Sequence, residues 1–209
     1  MKPPIPDRVA DPVSDASNVN LPNALTLLRL LCVPVLAVLL AIDDGELGPA
    51  RDAAAILFLV ASVTDLADGA IARRYGLVTT FGKIADPIAD KALTGVALIG
   101  LSLLGDLSWW VTGIILVREI GVTLLRFWVI EHGVIPASRG GKLKTLVQTI
   151  AIGMYLAVVP LEWWPTASAI AMALAVLLTV VTGLDYVVRA VRLRRTPPDT
   201  TSRLGVHRA

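Results

Sequence analysis

An all-α integral membrane protein, folded as a bundle of six transmembrane helices, is the class this sequence predicts. Three observations carry that expectation. Of the 209 residues, 55% are hydrophobic and the mean hydropathy is +0.71, a composition that excludes an ordinary soluble domain. Six apolar stretches approach the roughly 20 residues a helix needs to cross a bilayer. Charged residues make up only 17% of the chain and gather at the ends of those stretches or in one short internal run.

Residues 1–20 come first and read as a mostly disordered tail. They hold four prolines and several acids, and no apolar stretch of the kind a cleavable signal peptide needs. The spans follow near 23–42, 52–74, 80–104, 108–130, 143–161 and 166–190. The second is apolar through Ala53–Val63 and continues into the polar Asp65–Arg74. The third begins polar, through Asp86 and Asp90, and turns apolar from Ala92. Tyr75–Thr80, with Gly76, reads as the turn that brings these two polar halves to one membrane face. The membrane catalytic domain is expected over 21–191, and a basic, disordered tail with Pro197 and Pro198 over 192–209. No internal repeat is visible. The one cysteine, Cys32, lies in an apolar run, which excludes a disulfide framework.

Charge asymmetry sets the expected orientation. Lys2, Arg8, Arg73, Arg74, Lys83, Arg139, Lys142, Lys144, Arg192, Arg194 and Arg195 fall on one side. The loops of the other side offer only Arg51 against Asp43, Asp44, Glu46, Asp106 and Glu162. The positive-inside rule then places both termini in the cytoplasm of a multi-pass protein of the cell membrane. Trp109, Trp110, Trp163 and Trp164 form an aromatic belt at the outer interface.

The internal charged run is Asp65-x2-Asp68-Gly69-x2-Ala72-Arg73-x8-Gly82-x3-Asp86-x3-Asp90. Carboxylates near hydrocarbon are costly, so a cluster of four marks a functional site. Asp65 and Asp68 are i,i+3, and Asp86 and Asp90 are i,i+4, so each pair shares a helix face. Two such faces opposed make an all-oxygen cage for hard divalent cations, and a two-ion site clamps both the entering and the leaving oxygen of a displacement at phosphorus. Gly69, Gly82 and the small Ala72 either admit a nucleotide close to the backbone or serve helix packing. Arg73 either forks onto a pyrophosphate or anchors the helix at the interface.

This motif resembles that of the CDP-alcohol phosphotransferases at every fixed position. The resemblance covers about 20–192 and implies that family's membrane-helical bundle, usually a homodimer. It implies that Asp65, Asp68 and Asp86 hold two Mg²⁺ or Mn²⁺ ions, and that Asp90 is the general base and a further ligand. It implies CDP-diacylglycerol as donor, bound through Asp68, Gly69, Ala72, Arg73 and Gly82.

Pro22-Asn23-x2-Thr26-x2-Arg29 places Asn23, Thr26 and Arg29 on one helical stripe. It resembles the first helix of the family's phosphatidylglycerophosphate synthase branch, and these three residues join the donor site by that likeness. Asn23 also reads as a helix cap. Arg118-Glu119 lies within the fourth span, and Gly140-Gly141-Lys142-Leu143-Lys144-Thr145 enters the fifth, with Gln148 one turn on. Both patterns resemble the same branch, which implies sn-glycerol 3-phosphate as acceptor, held by Arg118, Lys142 and Lys144. Arg118 also reads as half of an internal ion pair, though neighbouring helical residues point about 100° apart. Asp185 is expected to pair with Arg189. Expected partners are the two substrates, membrane lipids and a second copy of the chain, with no nucleic acid. A cardiolipin synthase using phosphatidylglycerol, a phosphatidylinositol phosphate synthase, and a cation transporter are the competing functions. The last is disfavoured by the missing repeat and by acids at one face.

Overall fold

The computed structural model describes residues 21–43, 47–75, 80–129 and 139–195, and within them the side chains outside 21–22, 66–75, 80–84, 127, 129–139 and 195. The described residues are all helix and turn. In order they form α1 (Leu21–Asp43), α2 (Pro49–Tyr75), α3 (Thr80–Leu103), α4 (Trp109–Val129), α5 (Arg139–Leu156) and α6 (Trp164–Arg195). The shortest, α5, has 18 residues, and α6 has 32. At about 1.5 Å per residue, even α5 approaches bilayer thickness. By length and composition, Asn23–Asp43 and Trp164–Arg194 qualify as spans on their own, with hydropathies of 2.6 and 2.3.

The sequence also explains where helices stop. Pro49 opens α2, a position whose N–H has no intrahelical acceptor in any case. Gly105 ends α3 with φ of 82°; its N–H reaches the Ser102 carbonyl at 3.3 Å, and the Asp106 N–H reaches Leu101 at 3.0 Å. That is the paired closure a left-handed glycine permits after a helix. The last carbonyls of α5 are met by the Trp164 indole, which donates to Met154 at 3.1 Å and Ala157 at 2.9 Å. The basic stretch expected to be tail from residue 192 is still helical through Arg195, and the Arg194 guanidinium sits 3.9 Å from the centroid of the Trp128 ring. A cation over an indole face is attractive and fastens this end of α6 to α4.

The six helices form two interlocked groups. Helix α1 packs on both α2 and α3, while α6 packs on α4 and α5. Contact between the motif-bearing α2 and α3 is slight, so α1 is what holds them in register. One apolar cluster joins the groups: Leu36 and Leu40 of α1, Phe58 of α2, Leu98 and Leu101 of α3, Ile115 of α4, Ile152 of α5, Met172 of α6. All of these lie in the half of the bundle that contains Arg51. Large apolar side chains also cover the outside, with Leu31, Val117 and Leu184 each more than half exposed, as suits a surface solvated by lipid.

At the far end of that half, Arg51 is 1% exposed. Its guanidinium donates to Asp43 at 3.2 Å, to Asp106, and to the carbonyls of Tyr155 at 3.2 Å and Leu156 at 3.3 Å. One arginine thus ties the ends of α1, α3 and α5 to the start of α2.

Candidate active site

The opposite half is polar inside. Asn23, Thr26 and Arg29 are each buried to within 3% of full coverage, on the face of α1 turned toward α2 and α3. Thr26 Oγ1 donates to Asp86 Oδ1 at 2.5 Å, and Arg29 Nη1 lies 2.5 Å from Asp65 Oδ1. The expected stripe is therefore real, and it holds one acid of each pair. This gives Arg29 the partner that a guanidinium among apolar helices requires.

Asp90 stands at the centre of the electrostatics. It feels the charges of two ion pairs, Arg29 with Asp65 and Lys144 with Glu119. Of the remaining motif positions, Asp68, Gly69, Ala72 and Arg73 lie on the final turns of α2 and Gly82 on the first turn of α3. Their side chains fall outside the described residues. Pro87, between Asp86 and Asp90, interrupts the hydrogen-bond ladder of α3 at the acid pair itself.

Asp90 also borders a cavity of about 260 Å³ between α3, α4 and α5. Its polar wall comprises Asp90, Lys91 and Thr94 of α3, Glu119 of α4, and Lys144, Thr145, Gln148 and Thr149 of α5. Lys144 is 2% exposed and is ion-paired to Glu119 Oε1. Lys91 donates to Thr123, whose hydroxyl in turn donates to the Glu119 carbonyl at 2.8 Å.

The three cations expected to form one acceptor pocket are separated by this arrangement. Only Lys144 lines the cavity. Lys142 is exposed, because two residues along a helix is about 200° of rotation. Arg118 does not line the cavity; it turns to α6, donating to Thr182 Oγ1 at 3.1 Å and to Glu119 Oε1 at 3.2 Å. The internal ion pair that the sequence also allowed forms, because the long arginine side chain curls back to its neighbour, and Glu119 is not its only partner. Gly183 gives it room, since a Cβ there would lie 3.0 Å from Arg118 Cγ. Asp185 and Arg189 pair as expected, at 2.9 Å on the surface. Glu119 and Gln148 were not singled out as site residues by the sequence; an acid and an amide on the inner faces of two spans were the signal available.

The family model for CDP-alcohol phosphatidyltransferase matches residues 19–181. This chain belongs to the CDP-alcohol phosphatidyltransferase family. Its six-helix bundle is accordingly a membrane-helical fold, and the chain is an enzyme of the transferase class. A protein of Mycobacterium tuberculosis (strain CDC 1551 / Oshkosh), named probable phosphatidylglycerophosphate synthase, is 57% identical over 174 residues, 83% of this chain and 82% of the relative. The CDP-diacylglycerol–glycerol-3-phosphate 3-phosphatidyltransferase of Bacillus subtilis (strain 168) is 39% identical over 180 residues, 80% of this chain and 93% of the relative. The protein of the same name from Rickettsia typhi is 38% identical over 174 residues, covering 80% and 94%.

Proposed function

We propose that this phosphatidyltransferase moves the phosphatidyl group of CDP-diacylglycerol to sn-glycerol 3-phosphate, making phosphatidylglycerophosphate and CMP. The observation that carries the acceptor is the position of Asp90, shared between the aspartate cluster and the cavity that contains buried Lys144. Lys91, Lys144 and, one layer back, Arg118 stand against the carboxylates of Glu119 and, at the cavity's edge, Asp90. The lysines suit a phosphomonoester carrying about two negative charges near neutral pH, with its reacting hydroxyl at Asp90.

In this reading the acceptor oxygen forms a bond to the β-phosphorus of the donor while the bond from that phosphorus to the CMP oxygen breaks. The hydroxyl proton passes to the Asp90 carboxylate, and CMP leaves with the electron pair. Lys144 holds the acceptor phosphate, Glu119 holds Lys144 and is itself held by Arg118, and Arg29 and Thr26 fix the orientation of Asp65 and Asp86. The donor set is hard oxygen throughout, which fits Mg²⁺ or Mn²⁺; Asp65, Asp68, Asp86 and Asp90 would hold two such ions, which supply charge neutralisation at the pyrophosphate. The charge asymmetry of the loops supports a multi-pass protein of the cell membrane with both termini and the aspartates cytoplasmic; the family resemblance supports a homodimer that draws its donor from the membrane lipid.

CMP release from CDP-diacylglycerol by the purified protein, with glycerol 3-phosphate, phosphatidylglycerol or inositol phosphate as acceptor, tests this reading. Turnover with the first is expected. Turnover with phosphatidylglycerol alone would make the chain a cardiolipin synthase instead. Orientation is tested by labelling single cysteines at positions 142 and 163 in intact cells after Cys32→Ser; an impermeant thiol reagent should reach only position 163.

A further inference from the structure

The cavity beside Asp90 contains one buried polar atom that, among the described residues, neither the fold nor the proposed reaction uses. Gln148 is 5% exposed and lines the cavity on α5, one turn beyond Lys144 and on the same face. Its Oε1 is buried and accepts no hydrogen bond. A buried amide oxygen left unpaired is destabilising, and a leucine or methionine of similar volume would avoid the cost. The lysines and the glutamate of the wall are engaged: Lys144 with Glu119, Glu119 with Arg118, and Lys91 with Thr123. A buried amide oxygen without a partner, facing a cavity of substrate size, is set up for a ligand rather than for the fold.

We propose that Gln148 is a specificity-determining residue that hydrogen-bonds the non-reacting hydroxyl of the acceptor. The inference rests on the proposed function and deepens it. The acceptor phosphate is held by Lys144, and the reacting hydroxyl approaches Asp90. A phosphorylated triol leaves one further hydroxyl between those two groups, and Gln148 is the adjacent group without a partner. A hydroxyl both donates and accepts, as an amide does, so the match holds whichever way the amide is turned. A site built around a hydroxyl discriminates strongly against the analogue that lacks it, because its own polar group is then left unpaired. Gln148 therefore selects a short polyol phosphate over a phosphorylated alcohol of equal length and charge.

The test compares glycerol 3-phosphate with 3-hydroxypropyl phosphate, which keeps the phosphate and the reacting hydroxyl and lacks only the middle one. Wild-type enzyme should prefer glycerol 3-phosphate in kcat/KM by about tenfold or more, the scale of one hydrogen bond to a buried group. Gln148→Met should bring the two substrates to within about twofold, by losing activity on glycerol 3-phosphate while keeping it on the analogue, and should melt no lower than wild type in detergent. A wild type that uses both substrates equally overturns the inference while leaving the acceptor reading intact. So does a Gln148→Met enzyme that keeps the preference, or one that melts well below wild type, since the amide would then be serving the fold. A wild type inactive with glycerol 3-phosphate but active with another alcohol overturns the acceptor reading, and the inference with it.

Discussion

At one end of the bundle two carboxylates, Asp43 and Asp106, close on one buried guanidinium, and two backbone carbonyls complete its coordination. At the other end Asp65, Asp86 and Asp90 face Arg29, the hydroxyl of Thr26, and a lysine already shared with Glu119. The Arg51 end has its charges paired within the chain and rests on a dry core of leucine, isoleucine and phenylalanine. At the aspartate end, among the described residues, Asp86 and Asp90 have no ion pair, and Asp90 borders a polar cavity. Burying charge without compensation is expensive, so carboxylates left without an ion pair are ones whose compensation arrives from outside. On the proposed function, cations and a phosphorylated substrate supply it. The Arg51 end supplies the rigidity against which those carboxylates can be held.

The largest expected effects follow from the aspartate cluster. Asp65→Asn, Asp86→Asn and Asp90→Asn should each lower kcat by about a thousandfold or more, in line with removal of a charge-positioning group from a site that works by electrostatic stabilisation. Asp86→Asn and Asp90→Asn should leave the melting temperature equal to wild type or higher, because one unpaired charge has gone, whereas Asp65→Asn strands the buried guanidinium of Arg29 and should lower it. Chelation of divalent ions should abolish CMP release, and Mg²⁺ or Mn²⁺ should restore it. Full turnover in chelator, with bound metal measured as absent, would break the comparison at its root.

Arg51→Met should do the reverse. It leaves Asp43 buried without its partner, a loss of about 3–5 kcal/mol for a broken buried pair. The readout is a sharply lowered melting temperature in detergent, with unchanged turnover per folded molecule. The double variant Arg51→Met with Asp43→Asn should recover part of the loss, since the stranded charge is then neutral. An Arg51→Met protein as stable as wild type would show that the clasp is decorative.

Lys144→Ala comes next. It removes the cavity's buried cation and should raise the KM for glycerol 3-phosphate by about thirtyfold, roughly 2 kcal/mol for a charge-assisted hydrogen bond, without changing the KM for CDP-diacylglycerol. Arg118→Ala should act in the same direction and more weakly, because it works through Glu119. Equal effects on both substrates would merge the two sites that Asp90 is read as separating.

Much of this contrast was legible in the sequence, and the part that was not has a physical cause. The acid pairs declare themselves because their i,i+3 and i,i+4 spacing is local, and so does the Asn23–Thr26–Arg29 stripe. Arg51 read as a lone base in an acidic loop, because its partners are 8, 55 and about 105 residues away and meet only when four helix ends converge. Lys142, Lys144 and Arg118 read as one pocket because side-chain direction depends on helix rotation and on which neighbour packs alongside. Gln148 was noticed only as a polar residue one turn past Lys144. Its importance depends on having no partner, and only the packed arrangement of α3, α4 and α5 can reveal that.

The smallest expected effects make the sharpest comparison, because two glycines allow nearly the same steric intrusion in the two halves. A Cβ at Gly183 would lie 3.0 Å from Cγ of Arg118, and one at Gly153 would lie 3.1 Å from Cδ2 of Leu59. In both cases alanine gains about 1 kcal/mol of helix propensity and meets an overpacking cost of about 1–3 kcal/mol, so stability should move by little. The neighbours differ in what they do. Leu59 is an apolar contact between α2 and α5, and its displacement reaches no polar group of the site. Arg118 carries its guanidinium to Thr182 and Glu119, and Glu119 holds Lys144. A shift of a few tenths of an ångström in the arginine stem is therefore passed to the cavity through two charge-assisted contacts. Gly183→Ala should raise the KM for glycerol 3-phosphate about two- to fivefold at unchanged melting temperature, an effect below about 1 kcal/mol. Gly153→Ala should leave that KM alone and register only as a change of a few degrees in melting temperature. Identical kinetic profiles for the two variants would mean that the Arg118–Glu119–Lys144 relay does not reach the cavity.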